Sequence, residues 1–195
     1  MRELKIILAS ASPRRRELLK KLYSNFDIIV SSVDETLPSD VPCEKGVEIL
    51  AVRKGAPISE NNPDALVISS DTLVELDGLP LGKPKDKEEA FSMLSSLSGR
   101  SHNVHTGVAV SIGGRVFSGT SSSKVTFRDI PSDEIRDYIE TGEPLDKAGS
   151  YAIQGIGSKF VSSYSGSFDS IVGLDTELLS ELIKKAEDSL GGGSL

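Results

Sequence analysis

The feature that most constrains this chain is a pair of strand-like runs, His102 to Ile112 and Arg115 to Phe127, joined by Gly113-Gly114. Tight turns that match strand twist need positive φ at their centre, so two glycines between such runs signal a β-hairpin. Leu73 to Leu76 meets Leu79 to Leu81 across Asp77-Gly78 in the same way. Antiparallel pairing is therefore required. The start of the chain asks for something else. Leu4 to Ala9 is a short apolar run suited to a buried strand, and Ser12-Pro13 offers a helix cap with proline in the first turn. Leu18, Leu19 and Leu22 then recur at helical spacing, which predicts a helix over Arg14 to Leu22. Hairpins together with strand–helix units imply an α/β or α+β domain around a mixed sheet.

The remaining elements fit that frame. Phe26 to Val30 reads as a strand followed by a polar loop with Asp34 and Glu35, and Val47 to Lys54 as a helix. Leu66 to Ser70 is a strand running into Asp71-Thr72. Asp86 and Glu89 have capping-box spacing before a helix that ends at Gly99. Ser132 is expected to cap a short helix closed by Thr141-Gly142, and Phe160 to Ile171 to form strands around Ser165-Gly166. Thr176 to Ala186 is a final amphipathic helix.

A length of 195 residues fits one domain, assigned to residues 1–190, with Gly191-Gly192-Gly193-Ser194-Leu195 set apart as a flexible tail over 191–195. No apolar run approaches the ~20 residues that span a bilayer, and the first residues lack a signal peptide's long apolar stretch. Cys43 stands alone and forms no internal disulfide. The expected location is the cytoplasm, with no membrane partner. A net charge of -7 argues against a protein that coats nucleic acid, because such binding needs many lysines and arginines. A phosphate ligand would have to be met by local positive charge.

Three groups of residues could meet one. Ser10-Ala11-Ser12-Pro13-Arg14-Arg15-Arg16 puts free backbone N–H groups and guanidiniums at a helix start, which suits a triphosphate. Asp34, Glu35 and Asp71 follow strands, where carboxylates can hold a hard cation or take a proton from water. Lys54 and Lys83, the latter within Gly82-Lys83-Pro84, could neutralise phosphoryl oxygens; the pattern is not a P-loop, since the earlier glycine and the following Ser or Thr are missing. Each has a plain structural alternative: a capped helix with solvated arginines, surface acids, solvated lysines. His102 and His105, three apart on a strand, should face opposite sides of the sheet and so form no metal pair. No Gly-x-Ser-x-Gly stands in a strand-to-helix context, which removes acyl transfer.

Together these segments resemble the Maf family. The resemblance is carried by Leu8 to Arg15 followed by Glu17-Leu18-Leu19, then Val33-Asp34-Glu35, Ser70-Asp71-Thr72, Leu81-Gly82-Lys83-Pro84, Leu97 to His102, and Asp146 to Gly155. It implies a mixed α/β fold with a deep cleft, related to inosine triphosphate pyrophosphatases, and hydrolysis of a nucleoside triphosphate between the α and β phosphates with magnesium or manganese. By the same resemblance Asp71 is the general base, Glu35 and Asp71 hold the metal, and Ser10, Arg14, Arg15, Lys54 and Lys83 bind phosphates. Thr72 and Gln154 are expected to shape and read the base, with dTTP and UTP preferred. The alternatives are the family's methylated-guanosine branch and a nucleotide-sensing module that regulates cell division. Homodimers are a further implication. Two departures from the family pattern are Lys54-Gly55, where alanine usually follows the lysine, and Gly173-Leu174-Asp175, where proline usually ends the triplet.

Overall fold

The computed structural model describes residues 4–37 and 41–190, so the tail assigned to 191–195 lies outside the described residues. In chain order the elements are β1 (Lys5–Leu8), α1 (Pro13–Leu19), β2 (Asp27–Ile28), α2 (Cys43–Asn61), β3 (Ala65–Leu76), β4 (Leu79–Leu81) and α3 (Lys87–Leu97). They continue with β5 (Ser101–Ile112), β6 (Arg115–Phe127), α4 (Ser132–Glu140), three short 3₁₀ turns between Glu143 and Phe160, β7 (Val161–Ser165), α5 (Phe168–Val172) and α6 (Thr176–Ser189).

The described strands form one seven-stranded sheet in the order β2-β1-β3-β5-β6-β7, with β4 also on β3. β1 runs parallel to β2 and β3, whereas β3, β5, β6 and β7 are antiparallel, so the sheet is mixed as the opening segments and hairpins required. Both turns carry positive φ at their centres, at Asp77 and Gly78 and at Gly113 and Gly114. Helix α2 covers one face. A Cβ on Gly107 of β5 would lie 2.3 Å from the Val47 carbonyl oxygen of α2, so glycine is required for that approach.

The long strands serve two cores. Leu66, Ile68, Val108 and Val110 pack with Leu18, Leu19, Leu179 and Leu182 of α1 and α6. Further along, Val74, Val104, Val125 and Phe127 pack with Leu94, Leu97, Ile135 and Tyr138 of α3 and α4. Ile153 touches both clusters, which places the 3₁₀ region where the two halves meet.

Several elements differ from the expected spans. The first helix stops at Leu19, and the Phe26 to Val30 strand pairs only over Asp27–Ile28. The helix expected over Val47 to Lys54 runs from Cys43 to Asn61; Gly46, Gly55 and Pro57 blur its periodicity, while close packing on the sheet sustains it. Lys54 is thus inside a helix rather than at its end. Ser132 lies in the first turn of α4, whose cap position is Pro131. The Phe160 to Ile171 stretch is strand only to Ser165. Ser167 then accepts from Ser170 N–H and starts α5. Asp175, in place of the family's proline, caps α6 by accepting from the N–H groups of Glu177 and Leu178 at 3.0 Å.

Candidate active site

The cleft follows from how two strands share one edge of β3. β1 pairs up to Leu8 opposite Ile68, and Ala9 N–H donates to the Ile68 carbonyl. β4 pairs on Val74 through Leu76, with its last residue Leu81 opposite Val74. Between them no described strand pairs with the edge of β3 from Ser70 to Leu73. The chain leaving β1 carries Ser10 to Arg16, and the chain leaving β4 carries Gly82-Lys83, so both phosphate-binding candidates open onto this gap. Asp71 reaches solvent because its neighbour strand is missing; it is not at a strand end, since β3 continues unbroken to Leu76.

Side chains alternate across β3. Ser69, Asp71 and Leu73 face α2, where Ser69 donates to the Ala51 carbonyl at 2.7 Å and Leu73 packs on Cys43 and Val47. That phase sets Asp71 against Lys54, with Nζ 2.5 Å from Oδ1 and each side chain only about an eighth exposed, at 12% and 13%. The same ammonium lies 3.0 Å from Glu35 Oε2. The Glu35 loop is pinned by two residues that drew no notice in the sequence: Arg53 donates to the carbonyls of Asp34 and Thr36, and Ser31 donates to the Lys54 carbonyl. Asp34 itself closes a local turn on Thr36, whose hydroxyl and N–H hold its carboxylate below the usual range.

Ser70 and Thr72 face the other way, towards α1 and α5. Arg15 lies over them. Its Nε donates to the Gly173 carbonyl at 2.8 Å, one Nη to Thr72 Oγ1 at 3.1 Å and the other to Ser10 Oγ at 3.4 Å. Thr106 Oγ1 donates to the Ser170 carbonyl at 2.8 Å and is 3.0 Å from Thr72 Oγ1. A hydroxyl has one proton, so Thr72 must be the donor to Thr106. The chain of bonds is therefore directed from Arg15 through Thr72 and Thr106 to α5. Burial pushes the Arg15 guanidinium below its usual pKa, and Asp71 and Glu35 oppose that shift. Three of its N–H groups have acceptors among the described residues.

Arg14, one residue earlier, makes no hydrogen bond or ion pair among the described residues, yet its charge helps to hold Asp146 across the cleft below the usual carboxylate range. On Asp146 burial acts upwards and the Lys147 partner downwards, with the second prevailing. Lys83 and Gln154 are exposed, and neither bonds to another described residue. The structure therefore joins Ser10, Arg15 and Thr72 in one network and Lys54, Asp71 and Glu35 in another, side by side on β3. Lys83 follows β4 into the gap, and Gln154 lies on the segment where the two halves meet.

A divalent cation fits these residues in one way. No group of three or more His, Cys, Asp or Glu among the described residues is arranged to hold a metal. The carboxylates of Asp71 and Glu35 share a cation already, the Lys54 ammonium. Magnesium commonly takes one or two carboxylates, with water and substrate phosphates completing its shell, and that is the set present. His102 and His105 lie elsewhere. They face opposite sides of β5, the first against Tyr151 and the second against Ser122 and Glu75. No described helix is long and apolar enough to cross a membrane.

A mixed sheet with a strand-free edge thus brings together a buried acid–ammonium pair and an arginine-bearing helix start, a combination whose chemistry suits an anionic ligand. Residues 5–186 match the model of the Maf-like protein family, and this chain belongs to that family. It is 47% identical over 182 residues to a dTTP/UTP pyrophosphatase of Desulforamulus reducens, covering 92% of this chain and 95% of that one. A dTTP/UTP pyrophosphatase of Clostridium beijerinckii is 44% identical, covering 94% and 100%. Among solved structures, a dITP/XTP pyrophosphatase of Mycobacterium abscessus superposes with a TM-score of 0.46 and 15% identity over 97% and 100% of the two chains.

Proposed function

We propose that this chain hydrolyses nucleoside triphosphates, with dTTP and UTP preferred, to the monophosphate and pyrophosphate in the cytoplasmic nucleotide pool, the work of one domain over residues 1–190. The carrying observation is the Asp71–Lys54 pair at the uncovered edge of β3, next to the arginines of α1. The names of the relatives support the choice of substrate.

In this reading Asp71 takes a proton from the water that attacks the α phosphorus. The bond from that phosphorus to the bridging oxygen breaks, and pyrophosphate leaves. Lys54 turns from Asp71 to the phosphoryl oxygens as nucleotide enters, and Arg14 and Lys83 grip the outer phosphates. Ser10 and the first N–H groups of α1 offer hydrogen bonds to the same anion. Arg15 and Thr72 shape the floor, with Arg15 lending its remaining donors. Asp71 and Glu35 would hold magnesium or manganese, which supplies charge neutralisation on the triphosphate and polarises the phosphoryl group. Gln154 offers a donor and an acceptor that match the ring N–H and a carbonyl of uracil or thymine.

The test is pyrophosphate release from a panel of triphosphates with manganese, for the native chain and for Asp71→Asn. General-base catalysis typically supplies ~10²–10⁴-fold, so the variant should bind nucleotide and turn over at least about a hundredfold more slowly. Near-normal turnover by Asp71→Asn would remove Asp71 from the role, and full native activity in chelator would remove the metal.

A further inference from the structure

The segment that carries Gln154 is held just after that residue by one carboxylate. Glu143 Oε1 accepts from Ile156 N–H at 3.0 Å, and Oε2 accepts from Gly157 N–H at 2.9 Å and from the Tyr138 hydroxyl at 2.6 Å. The Gly155 N–H bond to the Ala152 carbonyl at 3.1 Å closes the turn that carries Gln154, and the Ile156-Gly157 anchor that follows leads to Glu143. The fit is close. A Cβ on Gly155 would lie 2.0 Å from Glu143 Oε1, and one on Gly157 would lie 2.7 Å from the Tyr138 hydroxyl. Both glycines are therefore part of the clamp. Tyr138 is itself fixed, 1% exposed and edge-on to Phe160 with ring centroids 5.0 Å apart.

The amide of Gln154 has no partner among the described residues, so its direction depends on the backbone that carries it. We infer that Glu143, acting with Tyr138, is a positioning residue for base selection: it fixes the Ala152–Gly157 segment so that the Gln154 amide meets the nucleobase in one orientation. This rests on the reading of Gln154 as the residue that contacts the base. Discrimination needs such rigidity, because a site that can move to pair with the wrong base loses the penalty of an unpaired polar group.

The experiment compares kcat and KM for dTTP, dCTP and dGTP in the native chain, Glu143→Gln, Tyr138→Phe and Gln154→Ala. Glu143→Gln puts an N–H group against backbone N–H donors, so the clamp is broken with little change in volume. The expected result is at least a tenfold fall in the preference for dTTP, with KM for dTTP changing more than kcat. Tyr138→Phe keeps the ring on Phe160, removes the hydroxyl that bonds Glu143 while leaving the bonds of Glu143 to Ile156 and Gly157, and should shift preference in the same direction by less. It also keeps the proposal testable if Glu143→Gln fails to fold. A Gln154→Ala variant that loses preference beside a Glu143→Gln or Tyr138→Phe variant that retains it would overturn the clamp. A Gln154→Ala variant that retains the native ranking would overturn the base reading, and the positioning role with it.

Discussion

Lys54 Nζ lies 2.5 Å from Asp71 Oδ1 and 3.0 Å from Glu35 Oε2, so a single ammonium on α2 bridges both acids of the cleft and offsets one of their two charges. A metal ion held by these two carboxylates would have to displace it.

Lys54→Met removes that competitor and leaves two carboxylates facing each other. Manganese should bind the nucleotide-free variant at least tenfold more tightly than the native chain, measured by calorimetry. Turnover should fall by about 10²–10³, the typical cost of removing one donor to developing charge. Unchanged manganese affinity would mean that Lys54 does not hold the metal's place.

His102 gives the protein an acid-sensitive core. It is 3% exposed, with Phe127 and Tyr151 edge-on to its ring, and burial lowers its pKa from 6.5 to about 4. The unfolded chain takes up the proton near pH 6.5 and the folded chain only near pH 4, so stability falls as pH drops through that window and is unaffected above it. The full loss is about 3 kcal/mol. Denaturant unfolding at pH 7.5, 5.5 and 4 should show that decline, and His102→Phe should flatten it. An equal slope in the variant would assign the acid sensitivity to other groups.

Gly55, next to Lys54 on α2, is matched to its contact with β3. A Cβ there would meet Ser69 Oγ at 2.7 Å, and Ser69 is held in place by its bond to the Ala51 carbonyl. Gly55→Ala alone should destabilise by about 1–3 kcal/mol through overpacking. Paired with Ser69→Ala, the better helix propensity of alanine is no longer opposed by the hydroxyl. A double-mutant cycle of thermal unfolding should give a favourable coupling above about 0.5 kcal/mol, and additivity would contradict the contact.

The parts legible in sequence were those with local chemistry. Ser12-Pro13 marked the start of α1, Asp77-Gly78 and Gly113-Gly114 marked both hairpins, and Asp86 capped α3 by accepting from Glu89 N–H. The extent of α2 was hidden because Gly46, Gly55 and Pro57 break its pattern, and its length is decided by contact with the sheet. β3 looked interrupted at Asp71-Thr72 for a related reason: polar residues stand where no described strand pairs with that edge, as in a loop. The acids and lysines were visible as residue types. Their pairing was not, since Lys54 and Asp71 meet only when α2 lies across β3. Arg53, Ser31, Thr106 and Glu143 carried no signal at all, because each acts through a backbone or hydroxyl group distant in sequence. Ser167, a serine ahead of Phe168-Asp169-Ser170, could have revealed the start of α5.

The central claim, water attack at the α phosphorus, is tested most directly by turnover of dTTP in heavy-oxygen water followed by mass spectrometry of the products. The heavy oxygen is expected in the thymidine monophosphate, with unlabelled pyrophosphate. Label in the pyrophosphate, or release of inorganic phosphate in place of pyrophosphate, would contradict it.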